Sequence, residues 1–118
     1  MNKRQLGKTD INLTAIGFGG APLGNLFENL DERNCYDILE KSYEKGINIY
    51  DTSPLYGYGL SEHRLGNFLK TVDEDSYFLS TKVGRYLTPA KKDNIDRGRF
   101  EATRNFSPNL DYSYDGVM

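Results

Sequence analysis

Tryptophan is absent from these 118 residues, and histidine and cysteine occur once each. The single cysteine, Cys35, excludes an internal disulfide and any Cys-x-x-Cys zinc or redox site. The single histidine, His63, together with scattered carboxylates, does not build a metal centre. Basic residues form no block, and a net charge of −2 with a pI near 5.4 argues against a nucleic-acid partner. No run approaches the ~18 consecutive apolar residues that a membrane span needs, and Met1 to Asp10 lack an apolar signal core. The expectation is a soluble cytoplasmic protein that engages neither membrane nor nucleic acid. Two Asn-x-Ser/Thr sequons, at Asn12 and Asn105, then read as chance. What remains is an ordinary globular composition, 37% hydrophobic with 12 glycines, and a length that suits one small domain.

Residues 3–14 predict a small hairpin, with Leu6 and Ile11/Leu13 flanking the turn-rich Gly7-Lys8-Thr9-Asp10. Ala15-Ile16-Gly17-Phe18 reads as a buried strand that Gly19-Gly20-Ala21-Pro22 ends, with a loop to about Asn29. Residues 31–45 predict a helix: Cys35, Ile38, Leu39 and Tyr43 repeat on one face of a 3.6-residue period. Asp31 or Asn29 can cap it, with Asn29-x-x-Glu32 resembling a capping box, and Gly46 suits its left-handed end. Ile47 to Asp51 alternates as a strand, Thr52 to Leu60 is a loop, and Ser61 to Lys70 is a short helix. Ser61 is its expected N-cap, and Leu65, Phe68 and Leu69 face inward. Tyr77 to Val83 is the third strand. The order strand, helix, strand, helix, strand over residues 15–84 implies parallel strands joined by crossovers. Residues 85–112 show no clear periodicity and read as a long polar loop of a functional or disordered kind. Residues 113–118 look like the first turn of another helix.

Most local motifs resolve to turns or surface. Gly17-Phe18-Gly19-Gly20-Ala21-Pro22 follows a strand, but the third glycine of a dinucleotide fingerprint would fall at Pro22, and no helix is expected there. A tight turn that lets backbone approach a ligand is the simpler reading. Gly7-Lys8-Thr9 lacks the earlier glycine of a phosphate loop. Ser42-x-x-Lys45 closes an amphipathic helix without a companion motif. His63 reads as a surface residue two positions into its helix.

The informative segment is Asp51-Thr52-Ser53-Pro54-Leu55-Tyr56-Gly57-Tyr58-Gly59-Leu60-Ser61-Glu62. Asp51 ends the second strand, Tyr56 lies in the following loop, and Lys82 ends the third strand. Neighbouring parallel strands lie ~4.8 Å apart and point the same way, so their ends share one face. A phenol has a pKa of about 10 and is a weak acid at neutral pH. A nearby ammonium favours the phenolate, and a carboxylate can hold that ammonium in place. Tyr56 then serves as proton donor to a carbonyl oxygen or acceptor from an alcohol. Residue types alone support equally a structural ion pair beside a surface tyrosine.

Asp-Thr-Ser-x-x-Tyr-Gly-x-Gly-x-Ser-Glu at 51–62, followed by Ser80-Thr81-Lys82-Val83-Gly84, resembles the aldo-keto reductase family. Arg4-x-Leu6-Gly7-x-Thr9 and Ile16-Gly17-Phe18-Gly19 are similar to it as well. The resemblance covers residues 3–84 well and the last few residues weakly. It implies an α/β fold of the (β/α)8 TIM barrel class, with the site at the C-terminal ends of the strands. It implies reversible hydride transfer between NADP or NAD and a small carbonyl compound or sugar. The family's aspartate, tyrosine and lysine fall on Asp51, Tyr56 and Lys82. Gly20 and Ala21, with Asp51, would lie near the nicotinamide end of the cofactor. Within the family, Asp-Thr-Ser-Pro-Leu-Tyr-Gly and Thr-Lys-Val-Gly-Arg look most like the aldose (fucose-type) and pyridoxal dehydrogenases.

The resemblance also implies a catalytic histidine at the end of a fourth strand, which these residues do not reach, and His63 on the second helix does not replace it. Late barrel segments that would bind the phosphates and adenosine are likewise missing. About three strand–helix units of eight are present, so an incomplete barrel is expected. The expected function is that of an aldo-keto reductase fragment: the 118 residues alone are inactive, and open strand edges make them marginally stable, self-associating or dependent on a complementing C-terminal fragment. The alternatives are a catalytically inactive product that acts through a partner subunit, and a small α/β binding domain without chemistry.

Overall fold

The computed structural model describes residues 1–118. Strands β1 (Lys3–Gln5) and β2 (Asn12–Thr14) form the antiparallel hairpin. Three short strands, β3 (Phe18–Gly19), β4 (Ile49–Asp51) and β5 (Phe78–Ser80), lie parallel in that spatial order. Helices α1 (Glu32–Glu44) and α2 (Leu60–Leu69) connect them. An antiparallel pair, β6 (Arg85–Pro89) and β7 (Phe106–Leu110), and a single helical turn, α3 (Tyr114–Val117), complete the chain.

Helix α1 forms where its caps and apolar spacing coincide. Asp31 caps α1 by accepting from the Asn34 N–H at 2.9 Å. Gly46 ends it at φ +80, with its N–H on the Tyr43 carbonyl at 2.8 Å. Cys35 and Leu39 of α1 meet Leu65, Phe68 and Leu69 of α2 over Tyr50 of β4, and Leu23 closes this core. Ile38, expected on the buried face of α1, is 45% exposed; the buried stripe turns instead toward Ser42, whose hydroxyl donates to the Leu39 carbonyl. Burial pushes the Cys35 thiol pKa up, as befits a packing residue.

The first parallel strand differs from its expected place. Ala15 to Gly17 lie outside β3 and are exposed, because the hairpin uses their backbone: Ala15 donates to the Asn2 carbonyl, and Thr14 Oγ1 donates to the Ile16 carbonyl. The second and third strands are also shorter than expected, since Ile47, Asn48, Tyr77 and Thr81 to Val83 stand outside them. Asn48 is instead a buried fastening point. Its Oδ1 accepts from the Thr14 N–H at 2.8 Å, and its Nδ2 donates to the Asn12 carbonyl at 2.9 Å.

Ser61 does not cap α2; Gly59 holds that place at φ +87. Pro22 lies within a one-turn 3-10 helix, Ala21–Gly24, where a plain loop was expected. The largest difference is in residues 85–112. They hold the β6–β7 ladder, with Tyr86 opposite Asn109 and Leu87 opposite Pro108, rather than a loop without structure.

Side chains alternate across a strand. Tyr50 points to the helices, so Asp51 belongs to the opposite face. Leu79, in register with Tyr50, lies beyond the reach of the two helices and is 53% exposed. No helix is long and apolar enough to cross a membrane.

Candidate functional site

The parallel register sets the site. Gly19 stands opposite Asp51, and Asp51 opposite Ser80, so the C-terminal ends of β3, β4 and β5 form one rim. Lys82 sits two residues past β5 rather than within it, and its ammonium donates to Asp51 Oδ2 at 2.6 Å and to the Thr52 carbonyl at 2.9 Å. The other oxygen of Asp51 accepts from Ser80 Oγ at 3.1 Å. Lys82 Nζ also lies 4.9 Å from the centre of the Tyr56 ring, within the range of a cation–π contact. The structure therefore brings Asp51, Tyr56 and Lys82 together. Partial burial pulls the Lys82 pKa down, but the hydrogen bond and charge of Asp51, with Tyr56 close by, outweigh it, and the net shift is upward. The ammonium stays charged at neutral pH.

Gly20 follows β3 immediately, and its N–H donates to the Asp51 carbonyl at 2.7 Å. A side chain there would meet that oxygen at 2.7 Å and Ser61 Oγ at 2.8 Å. The protein itself thus fills the space beside Gly20. Open space lies one residue earlier, where a Cβ on Gly19 would meet nothing within 4 Å. Ala21 begins the 3-10 turn and is half-buried. His63 is exposed on α2, with Asn67 as its neighbour at 3.3 Å.

The loop that carries Tyr56 is held by elements the sequence reading passed over. Fully buried Ser61 donates through Oγ to the Gly20 carbonyl at 2.7 Å, and its N–H donates to the Tyr56 carbonyl at 3.1 Å. Gly24 lies so close that a Cβ there would stand 2.4 Å from the Tyr56 carbonyl carbon. Arg64, next to His63 in the chain, is buried and spans the loop after β3. The helical spacing of Ser61, Arg64, Leu65 and Phe68 carries the signal for both residues, since all four share the inward face. Phe100, from the segment between β6 and β7, lies 6.2 Å from the Tyr56 ring and 6.5 Å from the Tyr58 ring. A separate concavity of about 240 Å³ lies between α1 and α2, and no rim residue lines it.

The Aldo/keto reductase family profile matches residues 15–110. The chain belongs to this family. It is 41% identical to the pyridoxal 4-dehydrogenase of Microbacterium luteolum over 98% of its own length and 36% of that protein. It is 48% identical to the D-threo-aldose 1-dehydrogenase of a Pseudomonas species over 65% of its length and 23% of that protein. Among solved structures, it superposes on the holo form of an aldo-keto reductase from Bacillus halodurans with a TM-score of 0.69 and 31% identity, covering 99% of this chain and 33% of that one. The chain thus spans between 23% and 36% of the length of these three proteins.

Proposed function

We propose that these residues form the N-terminal part of an incomplete (β/α)8 barrel and contribute the proton-transfer half of an NADP- or NAD-dependent oxidoreductase site. The carrying observation is the Lys82 ammonium, fixed by Asp51 at 2.6 Å and set beside the Tyr56 ring. Bound NADP or NAD would supply or accept the hydride. Tyr56 would give its proton to the carbonyl oxygen of a small aldehyde, ketone or sugar, or take it back from the alcohol. Lys82 would stabilise the phenolate, and Asp51 would aim Lys82. The rim suits a cofactor's reacting ring, because Gly19 leaves open space next to the register position of Asp51. Kinship with a pyridoxal and an aldose dehydrogenase supports a small oxidisable substrate.

The family's catalytic histidine belongs to a fourth strand, and these residues supply three parallel ones. The 118 residues alone are therefore expected to turn over no substrate, and a complementing C-terminal segment is the expected partner in a cytoplasmic setting. The test is a chimera in which they replace the matched part of the Microbacterium luteolum enzyme. It is assayed with both cofactors on aldehydes, sugars and their alcohols. Activity that falls by about 10²–10⁴ in Tyr56→Phe and in Lys82→Met supports the reading. A folded chimera without activity, or one indifferent to Lys82→Met, sinks it. Turnover by the 118 residues alone would show that the histidine is dispensable.

A further inference from the structure

We propose that Arg64 is a positioning residue for Tyr56, acting through the loop between β3 and α1. The proposal rests on the proton-transfer role given to Tyr56 above. Arg64 lies on α2 with its side chain only 5% exposed, yet it carries a full charge. Its Nη1 donates to the Leu23 carbonyl at 2.8 Å and to Asn25 Oδ1 at 2.7 Å. Its Nη2 donates to the Leu30 carbonyl at 2.8 Å and to Glu32 Oε1 at 2.7 Å, and Nε reaches the same carboxylate oxygen at 2.9 Å. A planar, always-charged fork suits this set of acceptors, and an ammonium cannot reach them all at once.

Two of the residues so gripped, Leu23 and Asn25, flank Gly24. That glycine presses its backbone on the peptide that joins Tyr56 to Gly57, and a Cβ on Gly57 would in turn stand 2.5 Å from the Gly24 carbonyl oxygen. No side chain separates the two loops. A shift of the Leu23–Asn25 peptides is therefore passed on to Tyr56 without a cushion. Removing the guanidinium leaves the Leu23 and Leu30 carbonyls and the Asn25 amide oxygen without that donor, and the loop must move to find water.

Arg64→Lys and Arg64→Met in the chimera test this. A displacement of about 1 Å can cost about a hundredfold in rate, so kcat is expected to fall on that scale. KM for the cofactor stays within about threefold, as for an interaction felt mainly in the transition state. Leu65→Val, on the same helix and buried, lowers stability but leaves the kcat of the folded enzyme in place. Arg64 variants that lose stability while keeping kcat overturn the proposal. An inactive parent chimera would instead defeat the catalytic reading, and hydrogen exchange on the 118-residue chain then decides the geometry. Faster exchange at the Tyr56 and Tyr58 amides in Arg64→Lys, with β4 unchanged, upholds the clamp, and equal rates overturn it.

Discussion

The segment from Phe18 to Ser80 and the segment from Arg85 to Leu110 are held by different forces. The first buries a shared apolar cluster in which Tyr50 is 0% exposed and Leu23, Leu39 and Leu65 are each 1% exposed. The second contributes one buried hydrophobic side chain, Ile95. It is held by the β6–β7 ladder and by a few hydrogen bonds to the first: Glu101 N–H to the Asn25 carbonyl, Arg104 N–H to the Gly57 carbonyl, and the Tyr58 hydroxyl to the Asp96 carbonyl. Side-chain burial makes a region both stable and readable. A ladder with little beneath it gives shape without much of either.

Substitutions should separate the two regions most sharply. Leu39→Ala is expected to cost about 2–5 kcal/mol, enough to lower the urea midpoint severely or unfold the chain. Leu87→Ala, at a half-buried place in β6, should cost about 1 kcal/mol. Equal costs would remove the distinction. Gly57→Ala meets the Gly24 carbonyl oxygen and must also adopt φ +66, so a loss of about 2–4 kcal/mol is expected. Gly98→Ala needs φ +53 in open space and should cost only about 1 kcal/mol of backbone strain.

Hydrogen exchange sharpens the contrast without substitution. Amides of β6 and β7 should exchange at least about tenfold faster than those of β4, because few apolar contacts oppose local opening. The smallest effect concerns Lys82. Its pKa is raised in the fold, so the contribution of its pair with Asp51 is complete below the free-lysine value of about 10.4 and is lost as pH rises through the raised one. Both partners are more than 40% exposed, which limits that contribution to about 0.5 kcal/mol. Asp51→Asn should leave the melting temperature nearly unchanged at pH 7 and erase its small decline in the alkaline range.

The same contrast explains what could be read from residues alone. Cys35, Leu39, Leu65, Phe68 and Leu69 lie on buried faces because a helical period records burial directly. The meeting of Asp51 with Lys82 was legible because parallel strands share their ends. The β6–β7 pair was not, since Pro89 and Pro108 interrupt its pattern and the intervening residues 90–105 exceed any short turn. Ser61 was misread because the helix starts one residue earlier, after the left-handed Gly59, which puts Ser61 inside the first turn, where its hydroxyl donates to the Gly20 carbonyl. Arg64 escaped notice because an arginine beside Glu62 and His63 looks solvated until a neighbouring loop folds over it.

Asn48 fastens the N-terminal hairpin just before β4, and Asp51 ends that strand about 10 Å further on. One short strand thus separates an anchoring end from the end that bears Asp51. A label or affinity handle attached at Met1 would hang from the anchored side, leaving the rim free for small molecules to approach.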